Sequence, residues 1–229
     1  MKIEGLQKLT LLDYPGRTAC TIFTYGCNFR CPFCHNASLV TESSAEFLRE
    51  EEIFSFLQKR RNILDGVCVT GGEPLLQKDI ESFLCRIKEI GYAVKLDTNG
   101  SFPDKLKLLV EEHLVDYVAM DIKNSPARYA ETIGVPVVDL APIRESVAFL
   151  LKDPVDYEFR TTVTRNFHTK ADFEEIARWI YGAKRYFLQN FVDSGNLIDS
   201  SVTGYSPEEM RQLAEFVKAR IPSACLRGL

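Results

Sequence analysis

Short apolar runs of strand length alternate along the chain with longer segments whose apolar positions recur at helical spacing. Residues 18–24, 66–70, 92–98, 115–122, 157–164 and 185–192 read as strands, rich in β-branched and aromatic side chains. Between them the spacing predicts helices near 79–90, 103–112, 143–152 and 171–181. Ser43-Ser44-Ala45-Glu46 has the form of a capping box and predicts a helix running to about residue 61. Ser206-Pro207-Glu208-Glu209, with Pro in the first turn and Glu at the third position, predicts the start of the last helix. Gly91 is placed to end the helix before it. The strands are continuous apolar runs, as strands buried on both faces are. Six strand–helix units in one repeating order imply an α/β fold with a parallel sheet and helices outside it. An open doubly wound sheet and a partly closed barrel both fit this pattern, and both put their active sites at the carboxyl ends of the strands.

Composition narrows the class. The chain has 229 residues, 45% hydrophobic and 26% charged, with a formal net charge of −4. That suits one domain over residues 1–229 and gives nucleic-acid binding no electrostatic support. No apolar run reaches the length of a membrane span, and the first residues lack the features of a signal peptide. A reducing cytoplasm is the expected compartment. The seven cysteines stand at 20, 27, 31, 34, 68, 85 and 225. An odd number with three in eight residues argues for a metal site over a disulfide framework. The other four sit singly in apolar surroundings and read as packing residues.

The dense group is Cys27-Asn28-Phe29-Arg30-Cys31-Pro32-Phe33-Cys34, directly after the first predicted strand. Three thiolates on one loop can wrap an iron–sulfur cluster, and three ligands for four irons leave one iron open to a small molecule. A structural zinc site normally closes with four ligands, and His35 abuts Cys34 too closely to serve easily as the fourth. A redox pair of Cys31 and Cys34 would leave Cys27 unexplained. Val69-Thr70-Gly71-Gly72-Glu73-Pro74 ends the second predicted strand, where two glycines let a ligand approach the backbone and Glu73 adds an acceptor for an ammonium. The bland alternative is a plain turn before Pro74. Asp97-Thr98-Asn99-Gly100 and Asp121-Ile122-Lys123 end the next two strands, and the former could also be a simple turn. Two acids at neighbouring strand ends need neutralising, by a bound cation or by Lys123.

Cys-x3-Cys-x2-Cys with an aromatic before the last cysteine resembles the signature of the radical S-adenosylmethionine superfamily. The longer stretch from Phe23 to Asn36 resembles the activating enzymes of glycyl radical enzymes. Leu9-Thr10-Leu11-Leu12-Asp13-Tyr14-Pro15-Gly16 resembles the N-terminus of anaerobic ribonucleoside-triphosphate reductase activating proteins of the longer type. The resemblance is strong to about Lys123 and weak after Gly134.

It implies a partial (β/α)6 barrel, with residues 1–17 as an extension packed on it. It implies one [4Fe–4S] cluster on Cys27, Cys31 and Cys34, and S-adenosylmethionine held by Gly71, Gly72, Glu73, Asn99 and Lys123. Asp97 and Asp121 would hold a monovalent cation, while Asp13 and Arg160 would lie near the incoming peptide loop. The implied partners are a glycyl radical enzyme, favouring anaerobic ribonucleotide reductase, and a flavodoxin or ferredoxin as electron donor. His168 reads as a loop histidine. Gln189, Asn190 and Phe191 stand where pyruvate formate-lyase activating enzymes carry a ribose-contacting histidine, a departure that argues against that substrate. No cysteine lies between Cys34 and Cys68, so a ferredoxin-like insertion with extra clusters is not expected.

Overall fold

The computed structural model describes residues 1–41, 46–193 and 195–228. Its sheet has eight strands in sequence order: β1 (Ile3–Thr10), β2 (Ala19–Thr24), β3 (Gly66–Gly71), β4 (Ala93–Thr98), β5 (Tyr117–Asp121), β6 (Asp156–Val163), β7 (Tyr186–Asn190) and β8 (Ala224–Arg227). β1 pairs antiparallel with β2, and every other pairing is parallel. No pairing joins β8 back to β1, so the sheet is a partial barrel with two edges. β2 to β7 are the six expected parallel strands. The helices that follow them are α1 (Ser38–Thr41) with α2 (Glu50–Lys59), α3 (Ile80–Ile90), α4 (Pro103–Glu111), α5 (Tyr129–Thr132) with α6 (Ala141–Leu150), α7 (Lys170–Trp179) and α8 (Pro207–Lys218).

Sequence patterning produces these elements for identifiable reasons. In α3 the buried residues Ile80, Phe83, Leu84, Ile87 and Ile90 fall on one helical face against the sheet. Gly91 then closes that helix in the left-handed conformation, at φ +103°. α8 carries the expected reciprocal capping box between Ser206 and Glu209, and α7 a second one between Thr169 and Asp172. The central parallel strands β3, β4 and β5 are nearly solid core: Val67 and Val69, Val94 and Leu96, Val118 and Met120 are all fully buried. None of the described helices is long and apolar enough to cross a membrane.

Four expectations need revision. Residues 3–10 join the sheet as an edge strand instead of simply packing on the barrel. β8 adds a seventh parallel strand. The proposed cap at Ser43-Ser44-Ala45 lies outside the described residues, and the helix that follows starts at Glu50 with Arg49 at its cap. Of the four single cysteines only Cys20 and Cys68 are buried, while Cys85 and Cys225 are exposed.

Candidate active site

A cavity of about 440 Å³ opens at the carboxyl ends of the parallel strands, with residues of β3 to β7 and of the loop after β2 on its wall. The thiols of Cys27, Cys31 and Cys34 line it together. Their loop is clasped from several directions. The Arg30 guanidinium donates to the carbonyls of Cys27 (2.6 Å) and Phe29 (2.8 Å), and the Arg30 N–H donates to Ile133 O (2.8 Å). A Cβ on Gly134 would stand 2.2 Å from Arg30 O, so only glycine allows that approach. On the other side Asp199 N–H donates to Pro32 O at 3.0 Å. Among the described residues no three His, Cys, Asp or Glu side chains converge on one metal ion. Three thiols on one loop suit an iron–sulfur cluster, whereas a structural zinc site normally closes with four ligands. Burial pushes the Cys27 thiol up to about 11 and the Cys31 thiol to about 12, with Lys123 drawing both down. Metal binding must expel these protons.

Gly71 and Gly72 lie against the same cavity and against the cysteine loop. A Cβ on Gly72 would sit 2.0 Å from Gly26 O, and one on Gly71 2.4 Å from Thr24 N and O. The backbone then staples the two loops: Gly72 N–H donates to Thr24 O (2.9 Å) and Glu73 N–H to Gly26 O (2.8 Å). The glycines are thus required by the packing of β3 on the cysteine loop, whatever ligand they meet.

Glu73 is turned inward. Its side chain is 0% exposed and does not line the cavity. One oxygen accepts from Leu75 N–H (3.1 Å) and the Thr98 hydroxyl (2.8 Å), the other from Asn99 N–H (2.6 Å). These bonds tie the Glu73 carboxyl to the end of β4. Asn99 itself lines the cavity, with its Nδ2 2.9 Å from Asn28 Oδ1 and 4.0 Å from Cys27 Sγ.

The acids sit in a chain of charge. Asp121 and Arg160 are opposite each other in the β5–β6 register. Arg160 Nε donates to Asp121 (3.0 Å) and its Nη1 to Asp97 (3.1 Å), bridging the two carboxylates. Lys123 Nζ donates to Asp121 at 2.9 Å, and Lys95, 1% exposed, donates to Asp97. Three cations thus serve two acids. Burial alone would raise both carboxyls, yet Arg160 and the lysines hold them below the usual carboxylate range. The expected monovalent-cation site on Asp97 and Asp121 is thus one where the Arg160 guanidinium already bridges the two carboxylates. Burial would also strip Lys123 of its proton, but Asp121 keeps it a cation at the cavity wall.

Asp13 lines the cavity as well, its carboxylate accepting from the Thr21 hydroxyl at 2.5 Å. The turn beside it spans residues 14–17, closed by Arg17 N–H to Tyr14 O at 3.2 Å, with Gly16 at φ +71°. Gln189 and Asn190 complete the wall. His168 is fully buried. Its Nδ1 accepts from Thr164 N–H (3.2 Å), so its Nε2 carries the proton and donates to Lys123 O (2.8 Å). It is a structural brace for the Lys123 backbone.

Burial pulls the His168 pKa down to about 4, and burial pushes Glu73 up to about 7 against three donors. Unfolded His168 binds a proton that the folded protein refuses between about pH 4 and 6.5, so its contribution is lost as pH falls through that window. Folded Glu73 keeps a proton that the unfolded chain releases above about pH 4.5, so its contribution is lost as pH rises toward 7. Each is worth on the order of 3 kcal/mol, and the two slopes oppose. Urea midpoints of the protein should therefore change little between pH 4.5 and 6.5. His168→Gln should be markedly less stable at pH 6.5 than at 4.5. A variant whose midpoints stay level would contradict the assignment.

The family described as the radical SAM superfamily matches residues 21–180. A protein of Methanocaldococcus jannaschii named "Putative glycyl-radical enzyme activating enzyme" is 32% identical over 99% of this chain and 96% of its own. A 7-carboxy-7-deazaguanine synthase of Koribacter versatilis is 30% identical over 67% of this chain and 65% of its own. A pyruvate formate-lyase-activating enzyme of Listeria monocytogenes is 28% identical over 61% and 62%. Among solved structures, SuiB of Streptococcus suis bound to its precursor peptide SuiA superposes with a TM-score of 0.72 at 16% identity, over 90% of this chain and 47% of that one. That likeness speaks for the fold alone. With the thiol-lined cavity at the strand ends, these matches place the chain in the radical SAM superfamily, among the glycyl-radical enzyme activating enzymes, a class that uses S-adenosylmethionine and an iron–sulfur cluster.

Proposed function

We propose that this protein binds one [4Fe–4S] cluster on Cys27, Cys31 and Cys34, binds S-adenosylmethionine beside it, and installs a glycyl radical on anaerobic ribonucleoside-triphosphate reductase. The observation that carries the reading is the meeting of three thiols, the Gly71–Gly72 backbone and the Lys123 ammonium in one cavity. When bound, the cluster supplies the electron that splits S-adenosylmethionine into methionine and a 5′-deoxyadenosyl radical, the species that removes a glycine hydrogen.

The chain's own residues bind and orient. Lys123, held cationic by Asp121, pairs with the cofactor carboxylate. Gly71 and Gly72 let the amino acid end lie against the backbone, and Glu73 fixes the Asn99 turn facing it. Phe29 and Phe33, both largely buried, keep water from the thiols. Asp13 and Arg160 edge the approach to the reacting carbon. A flavodoxin or ferredoxin delivers the electron, and thiolate ligands suit a reducing cytoplasm.

The choice of partner rests on the likeness of residues 9–16 to reductase activases. The test is to mix the reduced, cluster-loaded protein, S-adenosylmethionine and the reductase without oxygen and to record the electron paramagnetic resonance spectrum. A glycyl doublet is expected. A doublet on a pyruvate formate-lyase type enzyme instead would move the partner. Cofactor cleavage with no doublet on either would leave a small-molecule substrate, the reading that the 30% identity to 7-carboxy-7-deazaguanine synthase favours.

A further inference from the structure

Each of the four carboxylate oxygens of Asp97 and Asp121 holds a cationic donor. On Asp97, Oδ1 takes the Lys95 ammonium and Oδ2 takes Arg160 Nη1 at 3.1 Å. On Asp121, Oδ1 takes Arg160 Nε at 3.0 Å and Oδ2 takes Lys123 Nζ at 2.9 Å. Asp13 is a third acid on the cavity wall. Even with it counted, Lys95, Arg160 and Lys123 balance the carboxylates before any ion arrives. A free monovalent cation would add positive charge to a largely buried network whose acids are already matched, and like charges repel strongly there. These residues therefore do not fit the expected monovalent ion. Lys95 decides the matter, because without it Asp97 would keep an oxygen for an ion. Its side chain is 1% exposed and does not line the cavity, and its Nζ stands 3.8 Å from Cys68 Sγ. A buried ammonium needs a paired charge, and Asp97 supplies it.

We propose that Lys95 is a built-in cation: its ammonium takes the place of a monovalent metal ion at Asp97 and makes S-adenosylmethionine cleavage independent of sodium or potassium. Lys95 lies behind the cavity wall, so it is a positioning residue. It fixes Asp97, which shares Arg160 with Asp121, and Asp121 in turn holds Lys123. A tethered cation is always in place, whereas a free ion must be bound from solution at each assembly of the site. The catalytic part of the proposal rests on the S-adenosylmethionine reading above. The ion-binding part stands on the geometry at Asp97 alone.

The test compares the cluster-loaded unaltered protein with Lys95→Ala and Lys95→Gln, in potassium chloride and in choline chloride at equal ionic strength. Choline is too bulky to enter the site. The unaltered protein should show the same urea midpoint and the same rate of 5′-deoxyadenosine formation in both salts. Lys95→Ala opens a space beside the Asp97 oxygens, and Lys95→Gln adds an amide oxygen there, so both suit a small hard cation. In choline chloride the variants should lose about tenfold in rate, together with a lower urea midpoint, and potassium should restore most of both. A purely structural lysine would give losses that no salt reverses. Losses in Lys95→Gln that potassium leaves unchanged therefore overturn the proposal, even if Lys95→Ala fails to fold. An unaltered protein whose rate or midpoint rises with potassium overturns it as well. If the unaltered protein leaves S-adenosylmethionine intact in both salts, the activase reading falls, and the urea midpoints still decide whether Lys95 replaces the ion.

Discussion

Cys31→Ala is expected to abolish 5′-deoxyadenosine formation, with turnover falling by more than about 10³-fold, to background. The cavity wall holds three cysteines, and the remaining four lie elsewhere, two in the core and two on the surface. No other thiol is placed to replace Cys31. Two thiolates cannot hold a cluster that needs three, so bound iron should drop with activity. The fold should survive, because losing one sulfur from a buried site costs only about 1 kcal/mol. A variant with near-native urea midpoint, little iron and no nucleoside product is the expected triad of results. Retained iron and turnover would remove Cys31 from the site. The raised thiol pKa values add a second expectation. Cluster assembly on the unaltered protein should quicken as pH rises from 7 to 9, since the ligands bind as thiolates.

Arg160→Met should lower stability by about 3 kcal/mol at pH 7. The loss comes from the two carboxylates that Arg160 bridges, not from lost packing, since methionine retains much of the side-chain volume. Each acid still keeps one lysine, which places the effect at the low end for breaking a buried ion pair. The pH dependence has a definite sign. Carboxyls held below their unfolded value contribute stability that is present above about pH 4 and lost as pH falls. The gap between Arg160→Met and the unaltered protein should therefore narrow below about pH 4. Adding Asp121→Asn should restore part of the loss at pH 7 by removing the unpaired charge. Equal stability of Arg160→Met and the unaltered protein at pH 7 would mean that Asp97 and Asp121 are neutralised by something else.

Most of the barrel was legible because its strands are largely apolar runs and its helices repeat apolar positions at helical spacing, and both signals are local. β1 was not legible. Its sequence, Ile-Glu-Gly-Leu-Gln-Lys-Leu-Thr, has no two-residue alternation, since an edge strand with irregular register need not bury one face. β8 was missed because four residues after Pro222 carry too little pattern. The cysteine loop announced itself by spacing alone. The charge network did not, although part of its signal was present. Lys95 and Asp97 are two apart on β4, so one turned into the barrel brings the other with it. The bridging by Arg160 depends on the β5–β6 register, which no single stretch of sequence contains. The partners of Glu73 were hidden for a related reason. A glutamate after two glycines looks available to a ligand until the turn at Asn99, contributed by another strand, is seen to occupy it.

Reductive cleavage of S-adenosylmethionine at the thiol-lined cavity is the central reaction proposed for this protein. The direct measurement is the yield of 5′-deoxyadenosine and methionine after anaerobic cluster reconstitution and reduction with dithionite, alongside iron and zinc analysis of the same sample. Equimolar nucleoside and methionine, appearing only with iron bound, are predicted. A protein that carries zinc in place of iron, or that is iron-loaded and reduced yet leaves S-adenosylmethionine intact, would contradict it.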